Sequence, residues 1–320
     1  MSQETVYAIA SGKGGVGKTT TTVNLGTALA QAGKRVAIVD VDLGMANLAG
    51  FVSLSPESTT LHDVLASNAS IEDATYNLAE NIVAIPSGTG LDDYAETSPE
   101  GLREVVETLR EQFEYVLLDV GAGVSHETVL PLGLADAVFL VSTPEPASVH
   151  DVKKTIELTE RAGGSTAGLI VTRTRPAGDV SYEEIADRLD LALLGTIPDD
   201  PLVRESVYAG TPLVVHDSES PAAVAYRRLA ADLAGIESPD IPDDASDEDA
   251  ESDESTTPDP SSPLASSSSS SSSRPSDEDA ESSQAASHDD VSSAITEAES
   301  DSSRGRWFTR SAGFGGEFTS

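Results

Sequence analysis

The chain predicts an α/β domain, a mostly parallel twisted sheet flanked by helices, followed by a long acidic tail without a packed core. Three observations predict it. Short, nearly continuous apolar runs recur along residues 1–236, as expected of strands covered on both faces. Longer stretches with helical spacing separate them. After Gly235 the composition changes sharply to Ser, Asp, Glu and Pro.

The strands expected, in order, are Val6–Ala10, Val36–Asp40, Ile82–Ile85, Tyr115–Asp119, Ala137–Ser142, Ala167–Thr172 and Leu193–Ile197. Helical patterns cover Thr19–Ala32, Glu100–Gln112, Ser148–Ala162, Tyr182–Leu189 and Pro221–Ala234. Strand and helix in alternation imply right-handed crossovers, which put a ligand beyond the carboxyl ends of the strands. Residues 1–236 suffice for the core of one such domain.

Composition removes several classes. With no cysteine, the chain has no thiolates to hold an iron–sulfur cluster. No apolar stretch approaches the roughly 18–20 residues that span a bilayer, and Met1–Thr5 opens no secretory leader, so a cytoplasmic location is expected. Net charge is −36, from 55 acidic and 19 basic residues. Glu237 to Ser320 hold 21 acidic and 4 basic residues, which leaves −19 on residues 1–236. An evenly acidic domain suits molar intracellular salt, hence an expected haloarchaeal source, and it disfavours DNA, which needs clustered Lys and Arg.

The richest stretch is Ser11–Thr20, directly after the first strand and opening a helix. Gly12, Gly17, Lys18 and Thr19 fill G-x-x-x-x-G-K-[ST], in which backbone N–H groups wrap phosphates, the lysine reaches the β/γ oxygens and the hydroxyl binds Mg²⁺. Nucleoside triphosphate is therefore the expected substrate class. Lys13 is a second lysine with no place in the ordinary loop. Buried beside phosphates it would be costly in an empty monomer, so it is best explained by a second nucleotide across a dimer interface.

Lys13-Gly14-Gly15-Val16-Gly17-Lys18-Thr19 resembles K-G-G-x-G-K-[ST] of the deviant Walker A ATPases, the family of MinD and ParA. The resemblance implies ATP and Mg²⁺ as ligands, and a homodimer that forms when ATP is bound. It implies nucleotide contacts from Gly12, Lys13, Gly14, Gly15, Val16, Gly17, Lys18, Thr19 and Thr20, with Lys13 reaching the partner subunit's phosphates.

Two acids close the second strand, Asp40 and Asp42, and spacing aims both toward the nucleotide. With Asn47 they match D-x-D-x-x-x-x-N, switch I in the MinD branch. That match implies that Asp42 positions the attacking water, that Asp40 supports Lys18 and the Mg²⁺ shell with Thr19, and that Asn47 belongs to the loop that responds to the γ-phosphate. Asp119 ends an apolar strand as a Walker B acid should, near Mg²⁺. The next residues depart from the family's D-x-P-A-G: Gly121 replaces proline in a switch II that ends at Gly123. Thr172-Arg173 resembles the strand end that brings Arg173 near the adenine, and Gly195-Thr196-Ile197-Pro198-Asp199 resembles the turn whose backbone lines the base. Together these elements span nearly all of residues 3–234.

Residues 237–303 read as a disordered linker in which Ser246–Ser252 recurs identically as Ser276–Ser282. Residues 304–320 differ: Arg304, Arg306 and Arg310 interleave with Trp307, Phe308, Phe314 and Phe318. An interfacial membrane anchor, a partner-binding peptide and a plain solvated tail are three readings of Arg304–Phe318. The expected function is that of a MinD-like ATPase that dimerises on ATP and positions cell machinery at the division site or poles, with an activating protein partner and a location at the inner membrane face. Alternatives are a ParA-like partitioning or array-positioning ATPase, and a nucleotide-gated scaffold without turnover.

Overall fold

A computed structural model describes residues 5–55, 59–88, 101–123, 126–175 and 181–236; the readings made for 237–303 and 304–320 lie outside them. Eight strands form one sheet: β1 Thr5–Ala10, β2 Val36–Asp40, β3 Tyr76–Ala79, β4 Ile82–Ile85, β5 Tyr115–Asp119, β6 Ala137–Ser142, β7 Thr166–Thr174 and β8 Leu193–Pro198. Their order is β3-β4-β2-β5-β1-β6-β7-β8. All pairings are parallel except β3 with β4. The seven expected strands are all present. The antiparallel edge strand β3 was not expected, because only Leu78 among its residues is buried and so no apolar run announces it.

The helices are α1 Lys18–Gln31, α2 Leu48–Phe51, α3 Leu61–Leu65, α4 Leu102–Gln112, α5 His126–Leu134, α6 Pro146–Arg161, α7 Tyr182–Arg188, α8 Pro201–Tyr208, α9 Leu213–His216 and α10 Pro221–Ala234. Sequence spacing had located α1, α4, α6, α7 and α10. Of the others, α2, α3 and α9 have four or five residues, too few for a 3.6-residue period to show, and α5 carries Pro131 in its interior.

Both faces of the sheet are covered, and β1 shows how. Val6, Ala8 and Ala10 point into a layer with Leu109 of α4 and Val152 of α6, while Ile9 points into the opposite layer with Leu25 of α1 and Tyr226 of α10. This two-sided burial explains why the strands lack polar alternation. Central β1 and β5, neighbours in the sheet, each end in a loop that carries chemistry, so topology alone brings residues 11–17 and Asp119 to one edge.

Candidate functional site

The loop after β1 is shaped for an anion. Gly17 caps α1 at φ 99°, left-handed backbone that favours glycine, and no acidic residue occupies the first turn of the helix. The N–H groups there face no competing carboxylate of their own helix. A Cβ at Gly12 would run into the backbone carbonyl of Asp151 in α6, so only glycine lets the loop pack this closely. From behind, the Thr172 hydroxyl donates to the Val16 carbonyl at 2.7 Å, and Arg173 Nη2 donates to the Gly15 carbonyl at 2.7 Å.

Lys18, Thr19 and Asp119 converge as spacing predicts. Thr19 Oγ1 donates to Asp119 Oδ2 at 2.6 Å, and Thr22 Oγ1 lies 3.1 Å from Asp119 Oδ1. Burial pushes the Asp119 carboxyl above the usual carboxylate range, against the pull of Thr19, Lys18 and Thr22. Burial also lowers the Lys18 ammonium, with Asp119 and Asp42 opposing. Thr22 was missed by sequence reasoning. Its signal was available: in Thr19-Thr20-Thr21-Thr22, positions three apart share a helix face.

Asp40 and Asp42 differ in burial: Asp40 is buried and Asp42 is half-buried. β2 ends at Asp40, and the two carboxylates have different surroundings. Asp40 is 1% exposed and accepts three backbone N–H groups, from Asp42 at 3.1 Å, Asn47 at 3.1 Å and Leu48 at 3.0 Å. It is the anchor of the loop that follows. Burial and the charge of Asp119, its register partner on β5, push the Asp40 carboxyl upward. Asp42 instead lines a cavity of about 370 Å³ with Gly14, Gly15, Lys18, Asn47 and Gly121.

Lys13 is exposed in this single chain, so the monomer leaves its charge in water. It stands near two acids of the α6 region. Thr143's hydroxyl chiefly, with lesser pulls from Lys13 and Arg173, holds Glu145 below its ordinary range. Lys154 chiefly, with Lys13 among the smaller causes, does the same for Asp151.

The remaining residues settle on the far side of the loop. Arg173 rests on Gly15, as described, with its φ at 55°. Pro198 closes β8, and the Asp199 backbone N–H donates to the Thr174 carbonyl at 2.9 Å. The Asp199 carboxylate pairs with Arg175 at 2.9 Å, a partner that spacing had not flagged. In switch II, Gly123 sits at φ 116° and its carbonyl accepts from the Thr128 hydroxyl at 3.3 Å.

The donor set suits magnesium. Asp119 is buried and interacts with Lys18, and Thr19 and Asp119 offer the hard oxygens that Mg²⁺ takes. Among the described residues no cluster of three or more metal-ligating side chains occurs.

A loop of this geometry between a central parallel strand and its helix, with an acid on the neighbouring strand, defines a P-loop nucleotide-binding protein. The CobQ/CobB/MinD/ParA nucleotide binding domain model matches residues 7–213, and the chain belongs to that family. It is 41% identical over 229 residues to an uncharacterised ATP-binding protein of Methanocaldococcus jannaschii, covering 71% of this chain and 87% of the relative. Its fold is similar to that of the septum site-determining protein MinD of Pyrococcus horikoshii complexed with Mg-ADP, at a TM-score of 0.68 and 35% identity, over 72% of this chain and 95% of that one. A chain in the MinC:MinD cell division complex of Aquifex aeolicus is similar at a TM-score of 0.65 and 30% identity, over 73% of this chain and 97% of that one.

Proposed function

We propose that this chain is a MinD-like ATPase that binds ATP with Mg²⁺, pairs with a second copy in that state, and hydrolyses ATP to dissolve the pair. The observation that carries the reading is a single cavity in which Lys18, Asp42 and the switch glycine Gly121 meet, with Lys13 exposed nearby on the same loop. Kinship with a protein solved with Mg-ADP supports the ligands.

Each residue then has a task. Lys18, low in solvent and already between two carboxylates, would neutralise the β/γ oxygens. Thr19 and Asp119 would hold Mg²⁺, which supplies charge neutralisation on the transferred phosphoryl group. Asp42 would hold the attacking water. Lys13, unburied in the monomer, would meet the partner's phosphates, so that its desolvation is compensated only in the loaded pair. Nucleotide state thereby biases assembly, because contacts to the γ-phosphate exist only when it is present. In the cell such a switch would serve positional information at the division site or poles, from the cytoplasm and the inner membrane face. Arg304–Phe318 is proposed as its membrane contact and an activating protein as its partner; similarity to a chain from a MinC:MinD complex supports the latter.

Phosphate release from ATP tests the reading. Wild-type protein should release phosphate only with Mg²⁺, and Lys18→Ala and Asp42→Ala should abolish release. Turnover that survives Asp42→Ala would refute the role given to that residue.

A further inference from the structure

His62 is a buried imidazole, and nothing in the nucleotide reading uses it. It lies in α3, and the residue is 1% exposed. Nδ1 receives the Gly88 backbone N–H at 2.8 Å. An N–H only donates, so Nδ1 carries no proton; in the neutral ring the proton is on Nε2, which donates to the Leu43 carbonyl at 3.1 Å. The imidazole is thus a bridge of fixed tautomer between the exit of β4 and the residue after Asp42.

The supports of that bridge are themselves tied down. Thr60 and Asp63 form a capping box at the start of α3, and the Leu61 N–H donates to the Pro86 carbonyl at 2.9 Å. Ser87 donates to the carbonyl of Asp40 at 2.7 Å. A Cβ at Gly88 would stand 3.2 Å from Nδ1, so the approach of backbone to ring depends on the glycine. Asp42 is consequently gripped on both sides: its own N–H goes to Asp40 Oδ1, and the carbonyl of Leu43 goes to His62. Beyond this grip Gly44 and Met45 are exposed, and the Met45 N–H donates to Asp42 Oδ1 at 3.0 Å.

We propose that His62 is a positioning residue for ATP hydrolysis: its Nε2–H holds Leu43 so that Asp42 keeps its place while the loop beyond it responds to nucleotide. The proposal rests on reading the cavity as an ATPase site. Hydrolysis demands placement to within an ångström, whereas binding through residues 12–20 does not pass through Leu43.

Two substitutions separate the two ends of the bridge. Asparagine matches the Nδ1 end, so His62→Asn can keep Gly88 but cannot reach Leu43. Glutamine matches the Nε2 end, so His62→Gln can still donate to Leu43. Single-turnover phosphate release and ATP affinity are measured for wild type and both variants. His62→Asn should bind ATP within about twofold of wild type and release phosphate at least about tenfold more slowly, while His62→Gln should stay within about threefold in both. Wild-type release from His62→Asn, or release from His62→Gln as slow as from His62→Asn, would overturn the proposal. If His62→Asn does not fold, His62→Gln decides: near wild-type rate and affinity support the tether, and a slow rate at unchanged affinity overturns it. A wild-type protein that releases no phosphate at all would refute the ATPase reading instead.

Discussion

The Asp42 carboxyl lies against the bare backbone of Gly121: a Cβ built on Gly121 would stand 2.9 Å from both Cγ and Oδ1 of Asp42. The two residues belong to the loops after β2 and β5, which sit side by side in the sheet. Where the resembled pattern has proline, this chain has the one residue that leaves room for the acid.

Gly121→Ala should therefore separate folding from turnover. The atoms in the way are the end of one side chain, so the fold tolerates the methyl and stability should change by about 0.5 kcal/mol or less. Asp42 must move, and phosphate release should fall roughly tenfold at unchanged ATP affinity. Denaturant titration and single-turnover kinetics on one sample check both halves.

Thr19 and Thr22 both serve Asp119, yet they should respond differently. Thr22→Val removes a hydroxyl that lies 3.1 Å from Asp119 Oδ1 and 3.0 Å from the Lys18 carbonyl, and should destabilise the free protein by about 1.5–3 kcal/mol. Thr19→Val removes the proposed Mg²⁺ oxygen as well, and should abolish the effect of Mg²⁺ on ADP affinity. Calorimetric titration with and without Mg²⁺ distinguishes them.

Tyr226 makes alkaline stability predictable. Its hydroxyl is buried 3.2 Å from that of Thr21, and burial pushes its pKa up to about 12 from an ordinary 10.0. The folded form holds the proton that the unfolded form gives up, so the contribution is complete below about pH 10 and is lost as pH rises from there toward 12. The slope is about 1.4 kcal/mol per pH unit in that window. Tyr226→Phe should cost about 1 kcal/mol at pH 8 and show a shallower decline above pH 10 in urea unfolding.

The acidic surface should make salt a requirement. With −19 on residues 1–236, self-repulsion is long-ranged in dilute buffer and falls off within about 3 Å at 1 M salt. The unfolding temperature should climb steadily between about 0.1 M and about 3 M KCl. A temperature that is flat or falling over that range would remove the argument for a salt-loaded cell.

Much of this site can be read before any coordinates, and the reason is local. Lys18 and Thr19 are fixed by a contiguous loop, and Asp119 by the end of an apolar strand, so spacing along the chain determines their place. Asp40 and Asp42 could not be separated this way, since their difference arises from a turn that spends one carboxylate on backbone N–H groups. His62 is harder still. Its partners are a carbonyl and an N–H from segments 19 and 26 residues away, and backbone atoms leave no mark in the identity of a residue. Edge strand β3 was invisible for a related reason, with one buried side chain in four residues.

The central claim is that Lys13 completes a neighbour's phosphate site, and sedimentation velocity tests it most directly. In Asp42→Ala protein, where turnover is blocked, ATP with Mg²⁺ in high salt should double the mass, and adding Lys13→Ala to that background should return it to one chain while ATP still binds. A mass that stays at one chain with ATP bound, or a dimer that forms equally well without Lys13, would contradict the account.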